Sequence, residues 1–430
     1  MVGSTWTDSW PWFSKRWNAS RLAGFRAGEG EQLHYRSTTT LTTRPPVATP
    51  PIAEATLHPL FRALAVGVLL FVFLVGVNAM GDGFKSLGQD VLDSFFSATE
   101  NPFIALMVGI LATTLVQSSS VTTSLIVALV AAPEHALPIA NAVPMIMGAN
   151  IGTTVTNTIV SMAHMGRPDE FRRAFAVATV HDFFNFIAVA VLLPLEMMTG
   201  FLRKVATFLA SGLTGFGGVQ YESPIKGALK AAVQPIKTGL AWLFEAEQTR
   251  AIGLILIAAT LIFVALFLLV RVMRSLMKSR VESYVSVALK QSALLGILLG
   301  TVVTVMVQSS SITTALLVPL AGAGLITVSQ AFPITLGANI GTTVTALLAA
   351  LAATGVNAGA GLTIALVHLL FNVTGTIMIY PIPAIRKIPI EGARWLAATA
   401  TRSRKWAVIY VLAIFYGVPA LFAFLNQILK

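Results

Sequence analysis

Long stretches of apolar sequence without charged residues constrain this chain more than any other feature. Residues 291–385 contain no Asp, Glu, Lys or Arg, and residues 101–166 contain no Lys or Arg. Of the 430 residues, 55% are hydrophobic and only 11% are charged, whereas soluble globular proteins carry roughly 25% charged residues. Most of the sequence therefore cannot face water. The composition predicts an integral membrane protein and excludes a string of soluble domains.

Apolar segments of about 20 residues, the length at which a helix spans a bilayer, recur along the chain. Seven of them are predicted membrane spans: 60–80, 138–162, 174–195, 251–270, 331–354, 361–382 and 406–427. Two further segments, 101–132 and 292–322, are too long for one span and carry Gln and Ser clusters at their middles. Polar backbone survives at membrane depth only where protein or a cavity surrounds it, so these two segments predict re-entrant hairpins or broken helices. The predicted fold is all-α and polytopic.

The charged residues indicate the orientation of the chain. The 29 Lys and Arg exceed the 18 Asp and Glu by 11, but a nucleic-acid binder needs such charge on an exposed surface, so no nucleic-acid partner is expected. With the N-terminus inside, the inside loops 1–57, 163–173, 271–290 and 384–405 hold 20 of the 29 basic residues. The positive-inside rule favours this orientation. It predicts a cytoplasmic N-terminus in a multi-pass protein of the cell membrane, and it places the C-terminus outside.

The domain organisation follows from the same segments. Residues 1–57 lack the apolar core of a signal peptide and are predicted as a cytosolic tail. They precede a first transmembrane repeat at 58–195, an extracytoplasmic segment at 196–250, a second repeat at 251–385, and a basic loop with an apolar helix at 386–430. The chain has no cysteine, which excludes disulfides, thiolate metal sites and cysteine catalysis.

Internal repetition is the most specific signal. Three motifs occur twice in the same order: LVQSSSVTTSL at 115–125 and MVQSSSITTAL at 306–316, GANIGTTVT at 148–156 and 337–345, and HDFFN at 181–185 and HLLFN at 368–372. The offset between copies is 191, 189 and 187 residues for the three motifs in turn. This regularity predicts a duplicated unit. Because span 60–80 runs outward and its counterpart 251–270 runs inward, the copies are predicted as inverted-topology repeats, the plan of many secondary transporters.

The Gln-Ser-Ser-Ser motifs place an amide and hydroxyls at a helix break, with good helix sequence following. Exposed N–H groups at a helix start favour a small oxyanion, and two facing copies would surround a tetrahedral anion. The predicted anion-binding residues are Gln117, Ser118, Ser119, Ser120, Gln308, Ser309, Ser310 and Ser311, together with Asn150 and Asn339. The alternative is that these Ser and Thr residues only let membrane helices pack closely. The ordered duplication argues against that alternative.

An anion between the two motifs would have no side-chain counter-ion from them, and an unpaired charge in a low dielectric is costly. A co-bound cation is the simplest remedy, and neutral oxygen ligands suit sodium. Asp182, an acidic residue within a predicted span, is interpreted as a cation ligand or coupling group, or alternatively as a structural partner of His181, Arg172 or Arg173. The candidate sodium ligands are Asp182, Gln117, Gln308, Ser309, Thr153, Thr154, Thr342, Thr343 and Thr345. These residues predict coupled symport.

These motifs resemble the type II sodium-dependent phosphate cotransporters. The resemblance covers roughly residues 60–385 and rests on both Gln-Ser-Ser-Ser motifs, both GANIGTT segments and the His181–Asn185 run. In that family the two Gln-Ser-Ser-Ser motifs form the phosphate and sodium site, which implies the same role for 117–120 and 308–311. Electrogenic members carry Ala-x-Ala-x-x-x-Asp, present here as Ala176, Ala178 and Asp182, and electroneutral members end this pattern with Gly.

The resemblance implies sodium-coupled symport of inorganic phosphate across the plasma or inner membrane, without enzymatic activity or a cofactor. It also implies alternating access, electrogenic transport and a preference for divalent hydrogen phosphate. The segment of about 195–250 departs from the animal members, which have a long, cysteine-bearing, glycosylated loop there, and the chain ends at Lys430 without an appended helical domain. Both features suggest a prokaryotic-type member. The family keeps its C-terminus inside, contrary to the charge-based topology, and it does not explain residues 1–57.

Two alternatives remain open from the sequence. The first is a transporter or exporter of another small oxyanion, such as sulfate or arsenate, because the motifs specify only a cluster of donors of suitable size. The second is an intramembrane serine hydrolase using Ser119 or Ser310 with His181 or His368. It would need one asymmetric nucleophile–base pair, whereas both halves of this chain repeat almost equally.

Overall fold

The computed structural model describes residues 59–86, 99–134, 136–215, 224–277, 292–353 and 357–428. The expectations for the tail at 1–57 lie outside these residues. The described residues belong to the unit Leu57–Lys430 and form helices, with no strand among them. The prediction of an all-α fold is confirmed.

The helices are numbered in chain order. They are α1 Pro59–Ser86, α2 Pro102–Val116, α3 Ser119–Val130, α4 Ile139–Thr153, α5 Val155–Met162, α6 Pro168–Thr199, α7 Phe201–Gly215, α8 Pro224–Leu243, α9 Glu247–Met277, α10 Ala293–Val307, α11 Ser310–Ala315, α12 Leu317–Gly322, α13 Val328–Ala352, α14 Ala358–Ile379, α15 Pro383–Arg402, α16 Lys405–Val411 and α17 Val418–Ile428. A π-helical turn, Leu412–Gly417, joins α16 to α17.

Several helices have the length and composition of membrane spans. In the part of the chain that the structure describes, five are long and apolar enough: Pro168–Thr199, Glu247–Ala265, Val328–Ala352, Ala358–Ile379 and Lys405–Phe422. They coincide with five of the seven predicted spans. Helix α1 covers the predicted span 60–80 and contains a shorter apolar stretch, Leu64–Met80.

The prediction of one continuous span at 138–162 is wrong, because this stretch forms two successive helices, α4 and α5, that meet at Thr154. Both the N–H and the hydroxyl of Thr154 donate to the Ile151 carbonyl, at 3.2 and 2.8 Å. This replaces the usual bond to the carbonyl four residues back. Asn157, a poor helix former, follows the break, whereas the second copy has Ala346 at that position and α13 continues through it.

Glycines allow the helices of each copy to touch backbone to backbone. In the first copy, a Cβ on Gly148 of α4 would collide with the Leu106 carbonyl of α2, and in the second, a Cβ on Gly337 of α13 would collide with the Ile297 carbonyl of α10. The same close approach to a backbone carbonyl recurs at Gly109 and Gly152 in the first pair of helices and at Gly300 and Gly341 in the second. Each pair of helices is therefore in close backbone contact at three equivalent positions.

Helices that are distant in the sequence also pack against each other. Helix α1 packs against α9, α6 packs against α15 and α14 packs against α7, while α13 of the second copy contacts α3 of the first. The core thus brings the two Gln-Ser-Ser-Ser segments and the two GANIGTT helices into one region. The copies share their local contacts, and their opposite orientation in the membrane stays a prediction.

Candidate functional site

The two Gln-Ser-Ser-Ser motifs break their helices in the same way. Gln117 ends α2 and Gln308 ends α10, with φ values of 57° and 56°. They are the only non-glycine residues with positive φ in the described part of the chain. A left-handed conformation is uncommon for a residue with a Cβ, and such conformations cluster at functional sites.

The first serine of each motif starts the next helix. Ser118 and Ser309 have extended backbones, and their Oγ atoms accept a hydrogen bond, 3.4 Å long, from the N–H groups of Val121 and Ile312. Serine is among the preferred residues for this N-cap position. The sequence signal of a helix break at the motif is thus matched by the local geometry of both copies.

The chain reverses direction at the second motif. Thr304 Oγ1 in α10 donates to Thr313 Oγ1 in α11 over 2.8 Å, although nine residues of straight helix would separate them by about 13.5 Å along the axis. Such a hydrogen bond requires the two helices to fold back on each other as a hairpin. At the equivalent position of the first copy, Thr113 Oγ1 is buried and has no hydrogen-bond partner in the described residues.

Each motif glutamine is held by two hydrogen bonds. Gln117 donates from Nε2 to the Thr114 carbonyl at 2.6 Å and accepts at Oε1 from Thr156 Oγ1 at 2.9 Å. Gln308 makes the same bonds, donating to the Val305 carbonyl at 2.6 Å and accepting from Thr345 Oγ1 at 2.8 Å.

Thr345 was among the residues predicted from the sequence, and its counterpart Thr156 was missed. The offset of 189 residues between the GANIGTTVT segments would have identified it.

The structure brings the two motifs into contact. Ser120 Oγ of the first motif donates to the backbone carbonyl of Gln308 in the second, at 3.4 Å. Beside them, Asn157 Nδ2 of α5 donates to Thr314 Oγ1 of α11 at 2.6 Å. The predicted residues from both halves of the sequence therefore line one region.

A second polar network joins the predicted residues Asn150 and Asn339. His181 Nε2 lies 2.5 Å from Asn339 Oδ1, and Asn339 Nδ2 donates to Asn185 Oδ1 at 3.2 Å. Asn185 Nδ2 in turn donates to the Asn150 carbonyl at 2.9 Å, and Asn372 Nδ2 donates to Asn150 Oδ1 at 3.2 Å. Asn185 and Asn372 were not predicted as site residues, although they are the last residues of the HDFFN and HLLFN motifs.

The two histidines of these motifs differ in their contacts. His181 bonds to Asn339 of the other copy. Both ring nitrogens of its counterpart His368 are buried without a hydrogen-bond partner among the described residues. The symmetric contact would join His368 to Asn150. The two copies therefore share a fold, but their equivalent histidines differ in hydrogen bonding.

The remaining predicted residues are mostly buried. Ser119 and Ser310 are buried, and Ser311 is partly exposed. Four threonine hydroxyls each donate to a carbonyl of their own helix: Thr153 to Ala149, Thr154 to Ile151, Thr342 to Ala338 and Thr343 to Ile340. Because their protons are used in this way, the lone pairs of these oxygens remain available to a cation.

Asp182 is fully buried and accepts a hydrogen bond at Oδ2 from the Tyr410 hydroxyl, at 2.6 Å. The structural pairing considered from the sequence is absent among the described residues. His181 bonds to Asn339 instead, and the Arg173 guanidinium donates to backbone carbonyls of α12. Tyr410 was missed, because nothing in its sequence context links it to the repeats.

Comparison with known proteins identifies the family of this chain. The sequence matches the family model described as "Na+/Pi-cotransporter" over residues 72–220 and 261–385. The chain belongs to this family. Its members are transporters rather than enzymes, so the hydrolase alternative is not supported.

Similar proteins include two mammalian transport proteins. The chain is 33% identical over 420 residues to the rat "Sodium-dependent phosphate transport protein 2A", covering 82% of this chain and 66% of the relative. It is 32% identical over 443 residues to the human "Sodium-dependent phosphate transport protein 2B", covering 83% and 64%. The chain thus spans slightly less than two thirds of the length of these relatives. No solved structure matches it.

Proposed function

We propose that this protein is a sodium-coupled symporter of inorganic phosphate that works by alternating access across the cell membrane. The observation that carries the proposal is the contact between the two Gln-Ser-Ser-Ser helix breaks, through Ser120 and Gln308. This contact gathers hydroxyls, amides and helix-start N–H groups from both repeats at one point, as a small oxyanion requires. The names of the relatives supply the pair of substrates, phosphate and sodium.

The electrostatics of this region favour coupling to a cation. The predicted ligands from both copies are neutral except for Asp182, and residues 291–385 carry no charged side chain. Phosphate in such a region needs counter-charge, which sodium ions would bring with them. With Asp182 contributing one negative charge to the cation sites, the proposed cycle is electrogenic and carries divalent hydrogen phosphate with an excess of sodium.

The decisive experiment is uptake of labelled phosphate into proteoliposomes with and without an inward sodium gradient. Uptake that requires sodium, and that potassium or choline does not replace, is expected. Equal uptake under both conditions would remove sodium from the proposal. Unlabelled sulfate and arsenate in excess address the alternative substrates, because a sulfate transporter would lose its phosphate uptake to sulfate.

Alternating access requires that the site can be closed off from each side of the membrane in turn. Two similar contacts fit this requirement. Arg173 of α6 donates to the carbonyls of Ala321 and Gly322 at the end of α12, with the shortest bond at 2.6 Å. Asn357, just before α14, donates from Nδ2 to the carbonyl of Ala132, after α3, at 2.6 Å. In each case a residue near the start of a long helix holds the end of the hairpin of the other copy. By the predicted topology, the first contact faces the inside and the second faces the outside.

Replacing Arg173 with alanine is expected to favour opening toward the inside, because the charge-assisted bonds of its guanidinium are lost. The absence of cysteine from the chain makes this measurable with Ser311→Cys as a single labelling site. A membrane-impermeant maleimide applied from the inside should label Cys at position 311 about tenfold faster in Arg173→Ala. The exposed neighbour Arg172, replaced by alanine, is the control and should leave the rate unchanged. Equal acceleration from both sides would contradict an inside closure.

A further inference from the structure

Asp182 presents an unusual environment for a buried carboxylate. Its side chain is fully buried, and no Lys, Arg or His forms an ion pair with it in the part of the chain that is described. An ionised group in such a place needs strong hydrogen bonds or a bound cation. The partners of its two oxygens therefore determine what this residue can do.

The two carboxylate oxygens of Asp182 differ sharply. Oδ2 accepts the 2.6 Å hydrogen bond from the Tyr410 hydroxyl, whereas Oδ1 is buried without a hydrogen-bond partner in the described residues. The hydroxyls of Thr154 and Thr158 lie next to the carboxylate. Both hydroxyls also lie within hydrogen-bond distance of carbonyls of the chain, at 2.8 Å for Thr154 to Ile151 and 3.3 Å for Thr158 to Thr154, so their protons can rest there while their lone pairs face a cation. One side of Asp182 thus gathers a carboxylate oxygen and two hydroxyl oxygens, and oxygen ligands of this kind suit a hard cation.

Tyr410 reaches Asp182 from outside the repeats. It lies in α16, beyond residue 385, where the match to the family model ends. The π-helical turn Leu412–Gly417 begins directly after α16, and π-helical turns are frequent at functional sites. The Tyr410 ring packs edge-on against the buried ring of Phe415 in this turn, with centroids 5.9 Å apart. The hydroxyl is therefore held in place by the C-terminal segment.

We infer that Tyr410 is a positioning residue for cation coupling: by occupying Oδ2 it orients the Asp182 carboxylate so that Oδ1 faces Thr154 and Thr158 and can accept sodium. The inference rests on the proposed function. It assigns to the C-terminal segment, which lies outside the duplicated unit, a direct effect on the affinity of the transporter for its coupling ion. Tyr410 itself contacts neither cation nor phosphate in this assignment.

The test is the sodium dependence of phosphate uptake by Tyr410→Phe. This substitution keeps the ring and its contact with Phe415 and removes only the hydroxyl. The sodium concentration for half-maximal uptake should rise about tenfold, the value of one charge-assisted hydrogen bond. Maximal uptake and the phosphate KM at saturating sodium should stay within about twofold, because Tyr410 acts on the cation site alone.

Two controls separate positioning from packing. Tyr416→Phe makes the same change a few residues further along the segment, at a tyrosine that does not bond to Asp182, and should leave the sodium dependence unchanged. In an Asp182→Gly background, Tyr410→Phe should have no further effect, since the two residues act as one unit. A shift that persists in that background, or no shift in the wild-type background, would overturn the inference.

A readout without transport separates this inference from the proposed function. Sodium that binds the folded protein raises the thermal midpoint of the purified protein, and Tyr410→Phe should need about tenfold more sodium for the same rise. If sodium stabilises the wild type and both proteins respond alike, the role of Tyr410 is wrong while sodium coupling stands. If sodium affects neither the uptake nor the stability of the wild type, both proposals fail.

Discussion

Replacing Asp182 with glycine is expected to abolish the net charge movement of transport while phosphate uptake continues. Asp182 is a buried acidic residue without an ion-pair partner among the described residues, and its loss removes the charge that would hold one additional sodium ion. The family resemblance described in the sequence analysis implies the same result, because glycine at this position is the pattern expected of an electroneutral transporter. Currents from proteoliposomes on a solid support, compared with labelled uptake from the same preparation, measure charge per phosphate.

The matched control for this change is Asp169→Gly, which replaces an exposed aspartate in the first turn of the same helix, α6. This variant should retain the wild-type ratio of charge to phosphate. Asp182→Asn distinguishes charge from size, because the amide keeps the shape of the side chain and should also lose the current. A current per phosphate in Asp182→Gly equal to that of the wild type would remove Asp182 from coupling.

Replacing Gly337 with alanine is expected to prevent α13 from packing against α10. The added methyl group would collide with the Ile297 carbonyl, and a backbone carbonyl cannot rotate away as a side chain does. We expect the free energy of unfolding to fall by about 3 kcal/mol or more. Thermal unfolding of the detergent-solubilised protein, followed by size-exclusion chromatography, measures this loss.

The equivalent variant Gly148→Ala should behave in the same way, because a Cβ there would collide with the Leu106 carbonyl. Gly359→Ala, in α14, is the control, since a Cβ at that position meets nothing within 4 Å. In this open position alanine should be neutral or stabilising by up to about 1 kcal/mol, as is usual for glycine in a helix. Equal stability of all three variants would contradict the close backbone contact.

Much of the candidate site could be predicted from the sequence because duplication repeats each local signal. The serine after each glutamine is a capping residue, so the helix breaks at Gln117 and Gln308 could be predicted from residue types alone. The burial of Asn150 and Asn339 follows from their position in a charge-free apolar segment. The sequence alone therefore predicts the features that depend on local residue types within a repeat.

Contacts between distant segments could not be predicted in this way. Nothing in the local sequence indicates that Ser120 bonds to the backbone of Gln308, or that Tyr410 reaches Asp182. The sequence also does not predict that His181 has a hydrogen-bond partner while His368 has none among the described residues. Their motifs are similar, and only the packing distinguishes them. The break at Thr154 was missed because the motif around it is identical in both copies, and the residue that differs, Asn157, lies just beyond the motif.

The glycine contacts also limit which parts of the molecule can move separately. Helices α2 and α4 are in backbone contact at three glycines, and so are α10 and α13, so neither pair can slide or rotate internally without a collision. By contrast, a few side-chain hydrogen bonds, such as those of Ser120 and Asn157, connect the motifs of one copy to those of the other. These bonds can break and re-form at modest cost. In the proposed transport cycle each of these helix pairs would move as one rigid body, and the proposed anion site would lie at the contact between the two motifs.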